Sequence, residues 1–274
     1  MTARGETLKR PPRSGLFGLG RGIARERGNF SWVYIWSAPI RAMHWIAAAC
    51  IVVLIVTGFY IGRPYFMTSG EASSHFLMGR VRFTHFMAAA VLVMTGIVRF
   101  YWLFAGNKFE RWRALFPVTR QNLSRTMRTT GEYLTFGRQK GPSLVGHEPL
   151  QQYAYTFLYL MVLVMIVTGF AMYGQSNPGG IIFRVFAWVP PLFGGLQYVR
   201  LLHHVLTWAF IVFVVIHVYF VVRSDYIERV GRVSSIITGG RYVSMDEEYE
   251  DYDISKMPTG EWPKPDKPNT ARKT

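Results

Sequence analysis

Arg200-Leu-Leu-His-His-Val-Leu-Thr-Trp-Ala-Phe-Ile-Val-Phe-Val-Val-Ile-His-Val-Tyr-Phe-Val-Val222 decides the fold. From residue 201 to residue 222 there is no Asp, Glu, Lys or Arg. A helix of that length rises about 1.5 Å per residue and crosses the roughly 30 Å hydrocarbon layer of a bilayer. Three histidines, His203, His204 and His217, sit inside it, where an ionisable side chain is costly and is kept for function. Working outward, three more stretches read the same way, so the expected spans are residues 38–61, 81–104, 152–173 and 200–222. Residues 42–62 are uncharged and contain His44; the second span begins near His85 and is interrupted by Arg99. The third lies in a charge-free stretch, residues 149–183, and holds no histidine.

Composition agrees. Of 274 residues, 50% are hydrophobic and 16% aromatic, while 17% are charged, against roughly 25% charged in a soluble domain. A soluble globular enzyme is excluded, and the predicted class is an all-α membrane protein of four transmembrane helices. The net charge of +15 lies in the connections between apolar runs, which argues for membrane topology and against nucleic acid. Residues 1–36, 104–150 and 223–274 hold 7, 8 and 9 Lys and Arg, whereas residues 62–82 and 174–202 hold 3 and 2. The positive-inside bias therefore places both termini in the cytoplasm, N-in and C-in. The one cysteine, Cys50, excludes an internal disulfide and a C-x-x-C-H haem attachment.

Residues 1–36 read as a basic, flexible N-terminal arm without the apolar core of a signal peptide, residues 37–243 as the membrane domain, and residues 244–274 as an acidic, proline-containing disordered tail. In the second connection Leu123, Met127 and Leu134 alternate with Arg125 and Arg128 as in a basic interfacial helix. The apolar stretch 181–199, broken by Pro190-Pro191, is too short to span and is expected in the interface or over a partner surface. Leu54-Ile-Val-Thr-Gly-Phe59 is echoed by Met165-Ile-Val-Thr-Gly-Phe170, and Thr95-Gly96 recurs in the second span. Small residues there let helices or a flat ring approach closely.

Helix rise sets the histidines at two depths. His44 and His217 lie roughly 8–9 Å to the cytoplasmic side of the midplane, and His85 and His203 about 12 Å to the outer side. The 14 residues from His203 to His217 return to within about 40° of one helix face, from which His204 points away. Two imidazoles on facing helices at one depth supply both axial nitrogens of a haem iron and leave it electron transfer as its task. The expectation is a dihaem bundle holding two haem b groups about 21 Å apart along span four. His204 is read as a packing or supporting residue, and His75 and His147 as connection residues. Arg99 either snorkels or meets a propionate. Trp32, Tyr34, Trp36 and Trp102 form an interface belt.

Several separate motifs stand in order: Ala38-Pro-Ile-Arg-Ala-Met-His-Trp45 leading to Thr57-Gly-Phe59, Gly70-Glu-Ala-Ser73 with Phe76-Leu-Met-Gly79, Arg82-Phe-Thr-His-Phe86, Gly146-His-Glu-Pro149, and His203-His204 with Trp208 and His217-Val-Tyr219. Over residues 32–243 the chain resembles the b-type cytochrome subunit of membrane-bound nickel-iron hydrogenases. The resemblance implies a four-helix dihaem electron-transfer subunit, not itself the enzyme, in the bacterial cytoplasmic (inner) membrane. Its partners would be the small, iron-sulfur subunit and the large subunit, and its electrons would pass to membrane quinone. The family's ligands fall on His44 and His217 for an inner haem, and on His85 and His203 for an outer one. The residue before the first ligand of span four is often Trp in that family; here it is Leu202, which alters the packing expected around the outer haem. Glu71 lies in the outer loop expected to meet the partner, while Arg41, Arg99, His147 and Asp225 are candidates for the quinone or haem environment. Two rival readings remain open: the cytochrome subunit of a formate dehydrogenase or thiosulfate reductase, and a histidine-based proton channel or transporter. A purely structural anchor would not need histidines at two matched depths.

Overall fold

The computed structural model describes residues 30–66, 76–116, 149–228 and 231–244. In chain order the elements are β1 (Phe30–Tyr34), α1 (Ala38–Gly62), α2 (Leu77–Ala105), α3 (Trp112–Leu115), α4 (Pro149–Gly174), α5 (Ile181–Phe186), α6 (Val189–Leu192), α7 (Leu196–Glu228), α8 (Arg232–Thr238) and β2 (Gly240–Ser244). Four of these helices, α1, α2, α4 and α7, are long and apolar enough to cross a membrane. The fold is thus the expected all-α membrane bundle. Glu71, His75, His147, the interfacial helix foreseen near residues 123–134 and the acidic tail lie outside the described residues.

The helices outrun the apolar windows. α2 begins at Leu77 rather than near residue 81, and α7 runs from Leu196 to Glu228 rather than from 200 to 222. Hydropathy ends at the first charges, but backbone hydrogen bonding continues through Arg80, Arg82 and Arg223, whose long side chains reach the interface from helical backbone. α1 ends where it should, at Gly62 before Arg63-Pro64, because the residue preceding proline is pushed out of the helical region. Large apolar side chains such as Val56 and Val215 stay about two-thirds exposed, as a lipid-facing surface requires.

α1 packs along α2 and α4 packs along α7, while α1 meets α7 less extensively, so the bundle is two helix pairs facing each other. The turn Gly194-Gly195, with φ of 80° and 127°, launches α7 beside α4. There Ala171, Val189 and Val199 bury together, with Val167, Met172 and Phe186 packed around them.

At the other end lies an element absent from the sequence reading: an antiparallel sheet in which Phe30 pairs with Ser244 and Tyr34 with Gly240. It joins the segments flanking the whole bundle, and Val33, Ile35 and Val243 bury with Phe109 beneath it. Gly239 is its hinge. Its φ is +90°, its N–H closes α8 on the Ser235 carbonyl at 2.8 Å, and its own carbonyl accepts the Ile35 and Trp36 amides, each at 2.8 Å. A Cβ there would stand 2.4 Å from Tyr34 Cε2. Gly239→Ala is therefore expected to destabilise the detergent-solubilised protein by at least about 1–2 kcal/mol from the left-handed backbone alone. A thermal melt no lower than that of the parent protein would refute it.

Candidate functional site

The four selected histidines lie on the inner faces of three helices, α1, α2 and α7. His44 and His217 meet across α1 and α7 with ring centres 6.4 Å apart and planes inclined at 46°. Two metal–imidazole bonds of about 2 Å each put ring centres about 6 Å apart, so the spacing suits one metal shared axially. His44 Nδ1 is buried without a hydrogen-bond partner, an arrangement costly for an imidazole left to itself. Phe213, one turn before His217, stacks on its ring at 5.8 Å with planes 9° apart and fixes its tilt.

The second pair is held differently. His85 on α2 receives a contact from α1: Thr57 Oγ1 lies 2.8 Å from its Nδ1. His203 on α7 receives the matching contact from α4: Thr168 Oγ1 lies 2.8 Å from its Nδ1. Gly58 and Gly169, the residues that follow, lie beside the same rings; a Cβ at either would be in ordinary van der Waals contact with them, 3.4 Å from His85 Cε1 and 3.5 Å from His203 Cε1. Thus the repeated Ile-Val-Thr-Gly-Phe segment, noticed in the sequence only for its small residues, supplies a polar clamp to each outer histidine. What could have revealed it is the absence of histidine from α4, a span that must contribute something else.

His204 belongs to neither pair. It packs edge-on against Phe59 at 5.6 Å and lies beside Gly62, on the α1 side of α7. Trp208, one turn on, meets the same Phe59 at 5.0 Å.

Arg41, Arg99 and Asp225 all sit toward the sheet end. An Arg41 guanidinium N–H donates to the Ile237 carbonyl of α8, while its Nε is buried without a partner. Arg99 gives Nη1 and Nη2 to the Glu110 carbonyl, each at 3.3 Å, and Nε to the Tyr159 hydroxyl at 3.1 Å, so it links α2, the following loop and α4. Asp225 Oδ1 accepts the Arg232 amide at 2.6 Å and anchors the start of α8.

Sequence reading passed over Glu110, whose side chain is only 1% exposed. Its Oε1 accepts the Ser37 amide at 2.6 Å, and its Oε2 accepts Trp102 Nε1–H at 2.8 Å and the Asn107 amide at 3.3 Å. Ser37 is the residue from which α1 starts, so Glu110 sets the entry of the helix that carries His44.

Chemically, His44 and His217 converge as a pair, while His85 and His203 are each held at Nδ1 by a threonine of a neighbouring helix. No group of three or more His, Cys, Asp or Glu comes together among the described residues, as a bare metal ion held only by protein would favour. Paired imidazoles on facing helices suit an iron whose four equatorial positions are already filled by a macrocycle.

The comparisons with known proteins agree with this geometry. The chain is 38% identical over 226 residues to a probable Ni/Fe-hydrogenase B-type cytochrome subunit of Cupriavidus necator, covering 82% of this chain and 93% of that one. A protein of the same description from Azotobacter vinelandii is 39% identical over 216 residues, covering 78% and 90%. The probable Ni/Fe-hydrogenase 1 B-type cytochrome subunit of Escherichia coli K12 is 33% identical over 212 residues, covering 76% and 90%. Residues 35–239, from just after β1 through all four spans to just past α8, match the family described as prokaryotic cytochrome b561, and the chain belongs to that family.

Proposed function

We propose that this chain is the electron-transfer subunit that anchors a nickel-iron hydrogenase in the membrane and delivers its electrons to quinone. It would hold one haem b between His44 and His217 and a second between His85 and His203. The observation that carries the reading is the approach of His44 and His217 across α1 and α7 at a ring spacing of 6.4 Å. Held by these histidines, such haems would supply one-electron carriers.

The protein's part is to hold and orient. Thr57 and Thr168 set the rings of the outer pair; Phe213 and the α1 entry fixed by Glu110 set those of the inner pair. The division of basic residues supports a cytoplasmic sheet end, and the family likeness supports a bacterial inner membrane. The small, iron-sulfur subunit, with the large subunit behind it, would then dock at the opposite end, near the loop of Glu71 and the apolar helices α5 and α6. The names of the relatives support that partnership.

Quinone, an amphipathic substrate, is placed near the inner pair, where its reduction draws protons from the cytoplasm. Arg41, one helical turn before His44, keeps a buried Nε–H unpartnered and is our candidate donor to a quinone carbonyl or haem propionate. Arg99 and Asp225 would shape this end through the contacts already described, and His147 remains a candidate by sequence.

Proteoliposomes holding the whole complex provide the test. With hydrogen and quinone supplied, His217→Ala should abolish quinone reduction while the remaining haem is still reduced by hydrogen. Unchanged quinone reduction after loss of the inner haem would move the quinone site to the outer face.

A further inference from the structure

Thr57 and Thr168 do the same thing on two different helix pairs, and hydrogen accounting fixes what it is. Thr57 Oγ1 lies 2.6 Å from the Val53 carbonyl and 2.8 Å from His85 Nδ1. Thr168 Oγ1 lies 2.7 Å from the Val164 carbonyl and 2.8 Å from His203 Nδ1. A hydroxyl has one proton, and a carbonyl can only accept. Each threonine therefore donates back to the carbonyl four residues earlier, and its oxygen accepts from the histidine. The opposite polarity would set two acceptor oxygens against each other at 2.6–2.7 Å. Nδ1 thus carries the proton in both rings, which leaves the Nε2 lone pair free for a metal.

Back-donation from a membrane threonine to its own helix is common and would by itself mean nothing. Thr95 shows that ordinary case, with Oγ1 2.8 Å from the Val91 carbonyl, no histidine against it, and nothing within 4 Å of where a Gly96 Cβ would be. At the other two Thr-Gly pairs the hydroxyl meets an imidazole Nδ1, and the glycine beside it lies next to the same ring.

We infer that Thr57 and Thr168 are paired positioning residues for the outer site, each accepting a hydrogen bond from the Nδ1–H of one axial histidine and thereby fixing its tautomer and lowering the reduction midpoint of the haem between them. This rests on His85 and His203 being its ligands. An accepted Nδ1–H makes the imidazole a stronger electron donor and favours ferric over ferrous iron. Valine keeps the shape of threonine and removes the acceptor.

The test is a potentiometric titration, with low-spin ferric EPR, of the purified full-length complex and its variants. Thr57→Val and Thr168→Val should each retain two haems and raise only the outer midpoint, increasing the ferrous-to-ferric ratio at the parent midpoint by up to about tenfold, equivalent to about 59 mV for one electron. Thr57→Ser and Thr168→Ser should restore the parent midpoint and EPR signature, and Thr95→Val should leave both haems unchanged. Loss of the outer haem in the Val variants with retention in the Ser variants would also support the inference. Unshifted midpoints and spectra in both Val variants, or loss of the haem in the Ser variants as well, would overturn it. Two haems persisting in His85→Ala and His203→Ala would instead show that the ligand assignment beneath it is wrong.

Discussion

His217→Ala is expected to remove one haem of two and leave the other spectrally intact, and His85→Ala to remove the other one. If each pair holds one haem, deletion of one imidazole would leave that group held by a single histidine and weakly bound. The inner pair is vulnerable from either side, because His44 and His217 approach each other directly, with ring centres 6.4 Å apart, from helices that otherwise touch little. His204→Ala should leave the haem content unchanged, since that ring packs on Phe59 and faces neither pair. Pyridine haemochrome content of the purified variants checks all three. Loss of haem from His204→Ala with full retention in His203→Ala would reverse the assignment of helical faces on α7.

The second large effect is expected far from any histidine. In Glu110→Gln one of the two carboxyl oxygens becomes an NH2 group. One orientation turns that group toward Trp102 Nε1–H and the Asn107 amide, the other toward the Ser37 amide. Either way a donor faces a donor at a side chain 1% exposed, a loss of about 2–3 kcal/mol or more. Glu110→Ala leaves all three N–H groups without their acceptor and should cost more. Because Ser37 starts α1, the inner haem should loosen before the outer one, giving heat-induced loss of haem in two stages. A single-stage loss at the parent temperature in both variants would show that Glu110 has no part in seating α1.

How far the sequence already told this story differs by element. The four spans were legible because an uncharged run of 20 or so residues has few alternatives to crossing a bilayer. The approach of His44 to His217 was legible because helical rise turns residue number into depth. The sheet was not. Phe30–Tyr34 and Gly240–Ser244 are five residues each, lie at opposite ends of the described chain, and gain their structure from each other and from packing on Phe109. Glu110 was invisible for a similar reason: in sequence it is an acidic residue among Lys108, Arg111 and Arg113, the usual look of a solvated loop. Its burial depends on Ser37 and Trp102 converging on it from two other segments. The threonine clamps were half legible. Periodicity and small residues marked the repeated segments, but whether their hydroxyls meet a ring depends on the register between helices, which no single helix encodes.

The most direct measurement of the whole account is the haem-to-polypeptide ratio of the fully loaded, purified protein, taken with its reduced-minus-oxidised spectrum and an acid-acetone extraction. Two haems per chain, low-spin and fully extractable, are the predicted result if His44 with His217 and His85 with His203 each hold one; the only cysteine, Cys50, lies in α1 without a C-x-x-C-H partner sequence. One haem per chain, or none with no Soret band, would contradict it.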